Sequence, residues 1–171
     1  MSAIFELSGV TKNFGGVRAV SEMSFSIPEG ELAGLMGPNG AGKTTIFNLV
    51  TGVYDPDEGS ILFRGENLVP LKTFDIVHKG IARTFQNLRL FQRSSVLENV
   101  MTAAQQHVPY TFFEGMTHLG RWRSKESDIR KKSMELLERV GLADRANQAA
   151  GTLPYGHQRR LEIARALALD P

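Results

Sequence analysis

One run constrains this chain more than anything else in it: Gly37-Pro38-Asn39-Gly40-Ala41-Gly42-Lys43-Thr44. Glycines at this spacing let the backbone wrap with its N–H groups pointing inward, where a Cβ would block an approaching anion. An apolar, β-favouring run, Glu31–Met36, leads in, and a helix-favouring run, Lys43–Val50, leads out and stops at Gly52. A strand–loop–helix of this kind sets the positive end of a helix and a lysine around one point in space. That is the arrangement of a nucleotide phosphate loop, with Lys43 reaching the β- and γ-phosphates and the Thr44 hydroxyl completing a Mg²⁺ shell. The candidate cofactor-binding residues here are Gly37, Pro38, Asn39, Gly40, Ala41, Gly42, Lys43, Thr44 and Thr45. A phosphate loop does not by itself choose between kinases, GTPases, helicases and transport ATPases.

Composition narrows the field from the other side. The chain has 171 residues, Lys+Arg 20 against Asp+Glu 18, and a formal net charge of +2. That near balance makes no case for a nucleic-acid partner. Hydrophobic residues at 42% place it with ordinary globular chains rather than disordered or fibrous ones. With no cysteine, disulfide scaffolds, thiolate metal sites and thiol catalysis are excluded. The opening Met-Ser-Ala-Ile-Phe-Glu-Leu has neither the basic segment nor the apolar core of an export signal. The apolar stretches are broken well short of the roughly 20 residues a bilayer span needs.

The sequence alternates β-favouring and helical runs to about Gln86 and turns helical after it. Ile4–Val10, Ser24–Ile27, Glu31–Met36, Ser60–Arg64 and Ile81–Phe85 read as strands, Lys43–Val50 and Leu71–Lys79 as helices. An α/β fold class follows for this portion, residues 1–86, with residues 87–171 as a helical portion. Ser95-Val96-Leu97-Glu98 predicts a capping box opening a helix to about His107. Ser124–Val140 carries Ile129, Ser133, Leu136, Leu137 and Val140 on one helical face, with Gly141 as its stop. Pro154 opens a last helix through Leu161, Ala164 and Ala168. The aromatic stretch Tyr110, Phe112, Phe113 and Trp122 reads as an insertion packed on the helical part. The histidines His78, His107 and His118 lack metal-ligand spacing.

Around the loop stand Phe14-Gly15-Gly16, Pro56-Asp57-Glu58-Gly59, Arg83-Thr84-Phe85-Gln86 and Leu153-Pro154-Tyr155-Gly156-His157-Gln158-Arg159-Arg160. In this order and spacing the chain resembles the ATP-binding subunit of an ABC transporter from about Phe5 to Pro171. The branched-chain amino acid importer subfamily is the nearest likeness, through Arg83–Phe91 and the Tyr-Gly form of the signature. The resemblance implies ATP and Mg²⁺ as cofactors, and a P-loop NTPase fold with an N-terminal antiparallel β subdomain and a helical subdomain. It puts Phe14 at the adenine-stacking position and Gln86 beside Thr44 at the metal. Tyr155, Gly156 and His157 fall where the signature meets the nucleotide of a second subunit, in a head-to-tail dimer. The region Leu88–Phe91 falls where transmembrane permease subunits dock, and the transported substrate itself never touches this subunit. Two departures stand out: Pro154 replaces a frequent Ser, and His157 a usual Gln.

The resemblance also implies a peripheral protein on the cytoplasmic face of the plasma membrane, coupling ATP binding and hydrolysis to import. Family members continue into a strand with the Walker B aspartate and the catalytic glutamate, and then a switch histidine; this chain stops at Asp170-Pro171. No catalytic residue is therefore assigned, and the core is expected to lack its second half. The expected behaviour is that of a fragment, with weak nucleotide binding, negligible hydrolysis and poor folding alone. The alternatives are a non-catalytic nucleotide-binding or inert fragment, or an ABC ATPase serving another substrate.

Overall fold

A computed structural model describes residues 3–85, 88–107 and 121–171, with side chains in the last stretch from 125 onward. The chain forms two compact units, Met1–Ile81 and Ala82–Pro171. In the first, strands β1 (Ala3–Phe14) and β2 (Val17–Pro28) make an antiparallel hairpin around Gly15-Gly16. Strand β3 (Glu58–Phe63) pairs with the other edge of β1 and β4 (Glu66–Asn67) with β3, giving the order β2-β1-β3-β4. A bulge between Leu7 and Val10 adds a residue to β1, which keeps Val10 on the buried face with Phe5 and Leu7. Strand β3 closes on that bulge at Gly59. A Cβ there would stand 2.6 Å from the backbone of Ser8 and Gly9, so only glycine lets the strands approach.

Helix α1 (Lys43–Val50) follows the glycine loop and buries Ile46 and Leu49 in one cluster with Leu7, Val10 and Ile61. Helix α2 (Thr73–His78) adds Ile76 to it. The strand expected over Glu31–Met36 does not form. Residues 31–38 carry no regular structure, and Leu32 and Met36 are 102% and 93% exposed. Residues 81–85, also expected as a strand, are likewise irregular. A parallel strand is stable only when its backbone pairs with neighbours brought from elsewhere in the chain. Among the described residues no strand lies alongside either run, and the sheet that does form is antiparallel throughout.

The second unit is helical. Helix α3 (Val96–Ala104) starts in a reciprocal capping box: Ser95 N–H donates to Glu98 Oε2 (2.7 Å) and Glu98 N–H to Ser95 Oγ (3.1 Å). Those bonds hold the Glu98 carboxyl below its ordinary pKa, the Ser95 backbone bond being the larger cause. Helix α4 (Arg121–Arg139) lays Ile129, Leu136 and Leu137 against Val96, Leu97 and Val100 of α3. Helix α5 (Tyr155–Leu167) closes this core with Leu161 and Ala164. Every hydrophobic residue named in this core is buried. The aromatic insertion through Phe113 and the side chain of Trp122 lie outside the described residues.

Candidate functional site

Gly42 is the pivot of the glycine loop. Its φ of 80° is left-handed, and a Cβ there would come 2.3 Å from the carbonyl oxygen of Ala19 on β2. The residue must therefore be glycine, and the loop is seated directly on the β1–β2 hairpin. Gly42 also caps α1 with no side-chain hydrogen bond, and the first turn holds no acidic residue. The opening N–H groups of a helix have no intrahelical acceptor, so this turn is left to an external oxygen. Residues Gly37 to Ala41 are exposed along their whole length. The Lys43 ammonium donates to the carbonyls of Gly37 and Pro38, both at 2.6 Å, and so stays over the loop it follows. Thr44 and Thr45 stand in the same first turn, Thr44 exposed. Donors, a cation held over the loop and the exposed Thr44 on one short segment fit an oligophosphate with its Mg²⁺.

Phe14 ends β1 on the hairpin that seats this loop at Ala19. Its ring is 42% exposed and packs edge-to-face on Tyr54, with centroids 5.1 Å apart. Gln86, the residue expected to share the metal with Thr44, lies outside the described residues. The structure brings the phosphate-loop residues and Phe14 into the first unit and leaves Tyr155, Gly156 and His157 in the second.

In that second unit, Pro154 caps α5 and its carbonyl accepts from His157 N–H (2.9 Å) and Gln158 N–H (3.1 Å). Pro154 thus leaves the helix intact, since the missing N–H is one that a helix start does not use. Gly156 is exposed, with open space where a Cβ would be. The Tyr155 hydroxyl accepts from Arg159 Nε (2.9 Å) and Nη2 (2.8 Å). That hydroxyl, and then Glu162, raise the Arg159 pKa. Arg159 Nη1 also donates to the Phe85 carbonyl (2.8 Å) and to Glu162 Oε2 (3.1 Å). Glu162 Oε1 accepts from the Phe85 N–H (2.9 Å). Helix α5 therefore grips both backbone groups of Phe85. Phe91, half exposed, lies under the Arg165 guanidinium at 5.1 Å, and Asn99 holds its N–H and carbonyl at 2.9 and 3.0 Å.

The ABC transporter family model matches residues 20–171. The chain belongs to the ABC transporter family. It is 42% identical over 168 residues to the high-affinity branched-chain amino acid transport ATP-binding protein BraF of Pseudomonas aeruginosa, covering 98% of this chain and 66% of that one. It is 40% identical to the corresponding LivG of Escherichia coli, with the same coverage of each chain. The chain spans just under two thirds of the length of these relatives. Among solved structures it resembles the ADP conformation of MJ1267, an ATP-binding cassette of an ABC transporter. The TM-score is 0.83 at 29% identity, over 100% of this chain and 66% of that one. It also resembles the dimeric bacterial ABC transporter cassette MJ0796, with TM-score 0.78 at 28% identity over 98% of this chain and 70% of the other.

Within this family frame, sequence reasoning passed over Tyr54 and Asp57 in the first unit and the Arg159–Glu162 pair in the second. Their partners lie far along the chain: Asp57 meets Asn13 across 44 positions, and Glu162 meets Phe85 across 77. The turn Pro56-Asp57-Glu58-Gly59 and the run Leu153–Arg160 marked the places of Asp57 and Arg159, without showing their partners.

Proposed function

We propose that this chain is the nucleotide-binding part of an ABC importer ATPase serving branched-chain amino acids. The observation that carries the reading is the seat of the glycine loop. Gly42 is forced left-handed against Ala19, α1 opens without a side-chain cap, and the Lys43 ammonium stays on the loop. The likeness to BraF and LivG, whose names state branched-chain amino acid transport, supports the choice of cargo. When bound, ATP with Mg²⁺ supplies the phosphoanhydride whose cleavage drives the cycle. The backbone N–H groups of Gly40 to Thr45 take phosphate oxygens, and Lys43 exchanges two carbonyls for the β- and γ-phosphates. Thr44 gives a hydroxyl to the metal, and Gln86 is its proposed companion. Phe14 stacks on the base.

In the assembled transporter, Tyr155, Gly156 and His157 serve the nucleotide of a second cassette, homologous or identical. The resemblance to a dimeric cassette supports that arrangement. Leu88 to Phe91 form the docking region for transmembrane permease subunits, with Phe91 half exposed. No helix among the described residues is long and apolar enough to cross a membrane. The proposed place of the chain is peripheral, on those subunits at the cytoplasmic face, as the likeness to transport ATP-binding proteins supports. The chain as it stands is expected to bind MgATP weakly and to hydrolyse it negligibly. A phosphate-release assay on purified residues 1–171 tests this, and turnover that Lys43→Ala abolishes would overturn the inactivity.

A further inference from the structure

The carboxylate of Asp57 holds the end of β1 from across the sheet. Its Oδ1 accepts from Lys12 Nζ at 2.8 Å, and its Oδ2 accepts from Asn13 N–H at 2.6 Å and Asn13 Nδ2 at 3.1 Å. The Asp57 N–H in turn donates to the Thr11 carbonyl at 2.9 Å. Residues 11 to 13 are thus tied to one aspartate, and the next residue is Phe14. The Lys12 ammonium, its side chain only 15% exposed, stands 5.7 Å from the centre of the Phe14 ring. Tyr54, three positions before Asp57, packs edge-to-face on the same ring. Beyond Phe14 comes Gly15-Gly16, which offers no side chain to hold the ring. The hairpin carrying this cluster also bears the phosphate loop, through Ala19 and Gly42.

We propose that Asp57 is a positioning residue for the nucleotide base: through Lys12 and Asn13, with Tyr54 against the ring, it fixes Phe14 as a stacking face at a set distance from the phosphate loop. The proposal rests on the nucleotide reading and adds to it how the base end is built. A ring held in one place loses little conformational freedom when a purine stacks on it, so the holding contacts convert directly into affinity. They act on the base alone. Ligands without a base touch only the loop.

The test is calorimetric titration of the purified chain with MgATP and, separately, with magnesium triphosphate, which has the phosphates and no nucleoside. The wild-type chain is expected to bind MgATP more tightly than the triphosphate. Asp57→Ala is expected to weaken MgATP by about fivefold while triphosphate changes less than about twofold, the scale of a partly lost stacking contact. Lys12→Met, which removes the other end of the pair and keeps its packing, is expected to give the same split. Asp57→Asn, which keeps an oxygen for the Asn13 N–H, is expected to restore part of the loss. Equal weakening of both ligands, in variants whose circular dichroism is unchanged, would overturn the positioning role. So would no weakening of either. A wild-type chain that binds triphosphate as well as MgATP would remove the base site while leaving the phosphate loop standing. A wild-type chain that binds neither would overturn the nucleotide reading and this proposal with it.

Discussion

The two units solve the same problem with unequal success. In Ala82–Pro171, helices α3, α4 and α5 bring each other's apolar faces together, and Val96, Val100, Leu137, Leu142 and Leu161 are sealed from solvent. In Met1–Ile81, the antiparallel sheet closes on α1, yet Leu32 and Met36 just ahead of the phosphate loop stand fully in solvent, and Phe47 of α1 is 52% exposed. Helices satisfy their backbones internally and need only a face to bury. A strand needs partners, and the run before the loop finds none among the described residues. The difference teaches that, among the described residues, the glycine loop takes its seat from the hairpin at Ala19 and not from the run that precedes it.

Truncating the two units unequally tests this contrast. Leu137→Ala opens a cavity in the closed helical core and is expected to cost about 3 kcal/mol. Leu32→Ala removes a side chain that touches little and is expected to stay within about 0.5 kcal/mol. Urea unfolding monitored by hydrogen exchange, which resolves the units separately, checks both. A comparable loss from Leu32→Ala would break the comparison.

A smaller effect belongs to the clamp on Phe85. Glu162→Ala leaves the Phe85 N–H without its acceptor and deprives Arg159 of its carboxylate, and is expected to cost about 2 kcal/mol in the helical unit. Faster amide exchange at Phe85, with exchange in β1 unchanged, is the signature to look for. Unchanged exchange at Phe85 would mean that the clamp does not hold in solution.

Hidden mismatches sharpen the contrast further. The Ser133 hydroxyl is buried in α4 with no hydrogen-bond partner among the described residues. Ser133→Ala is expected to stabilise the helical unit by about 1 kcal/mol, read from the urea midpoint. A destabilised variant would show that the hydroxyl is satisfied after all.

Acid reaches both units through one carboxylate each. Glu98 in the capping box and Asp57 at the hairpin end both have lowered pKa values, Asp57 chiefly through its hydrogen bond with Lys12. A carboxylate with a lowered folded-state pKa contributes stability above its unfolded pKa, about 4, and loses it as pH falls through the folded value. Both contributions are therefore full at pH 7 and fade below about pH 4. Glu98→Gln is expected to flatten that acid loss in the helical unit, and Asp57→Asn in the sheet unit, each seen as a shallower fall in stability with pH. A variant that keeps the wild-type slope would remove its carboxylate from the account.

What could be read from the residues alone follows the range of the interactions. The capping box at Ser95–Glu98, the stop at Gly141 and the buried seam of α4 are set within a turn or two, and each was legible. The turn at Gly40 and Gly42 into a helix at Lys43 was legible because the glycine spacing is itself the local conformation. The runs Glu31–Met36 and Ile81–Phe85 favour β-structure by composition but form no strand, because no neighbour among the described residues pairs with them. Asp57 and Arg159 stand inside runs that the sequence marks, Tyr54 and Glu162 outside those runs, and the contacts of all four with Asn13, Phe14 and Phe85 were hidden because those partners lie far along the chain.

Everything in the functional account depends on the loop between Gly37 and Thr45 holding phosphate. Titration of the purified chain with magnesium triphosphate, repeated on Lys43→Ala, measures that and nothing else. The account predicts saturable binding by the wild-type chain, weakened at least about tenfold by the substitution, the scale of one lost charged hydrogen-bond donor. Binding that survives Lys43→Ala unchanged, or no binding by the wild-type chain, would contradict it.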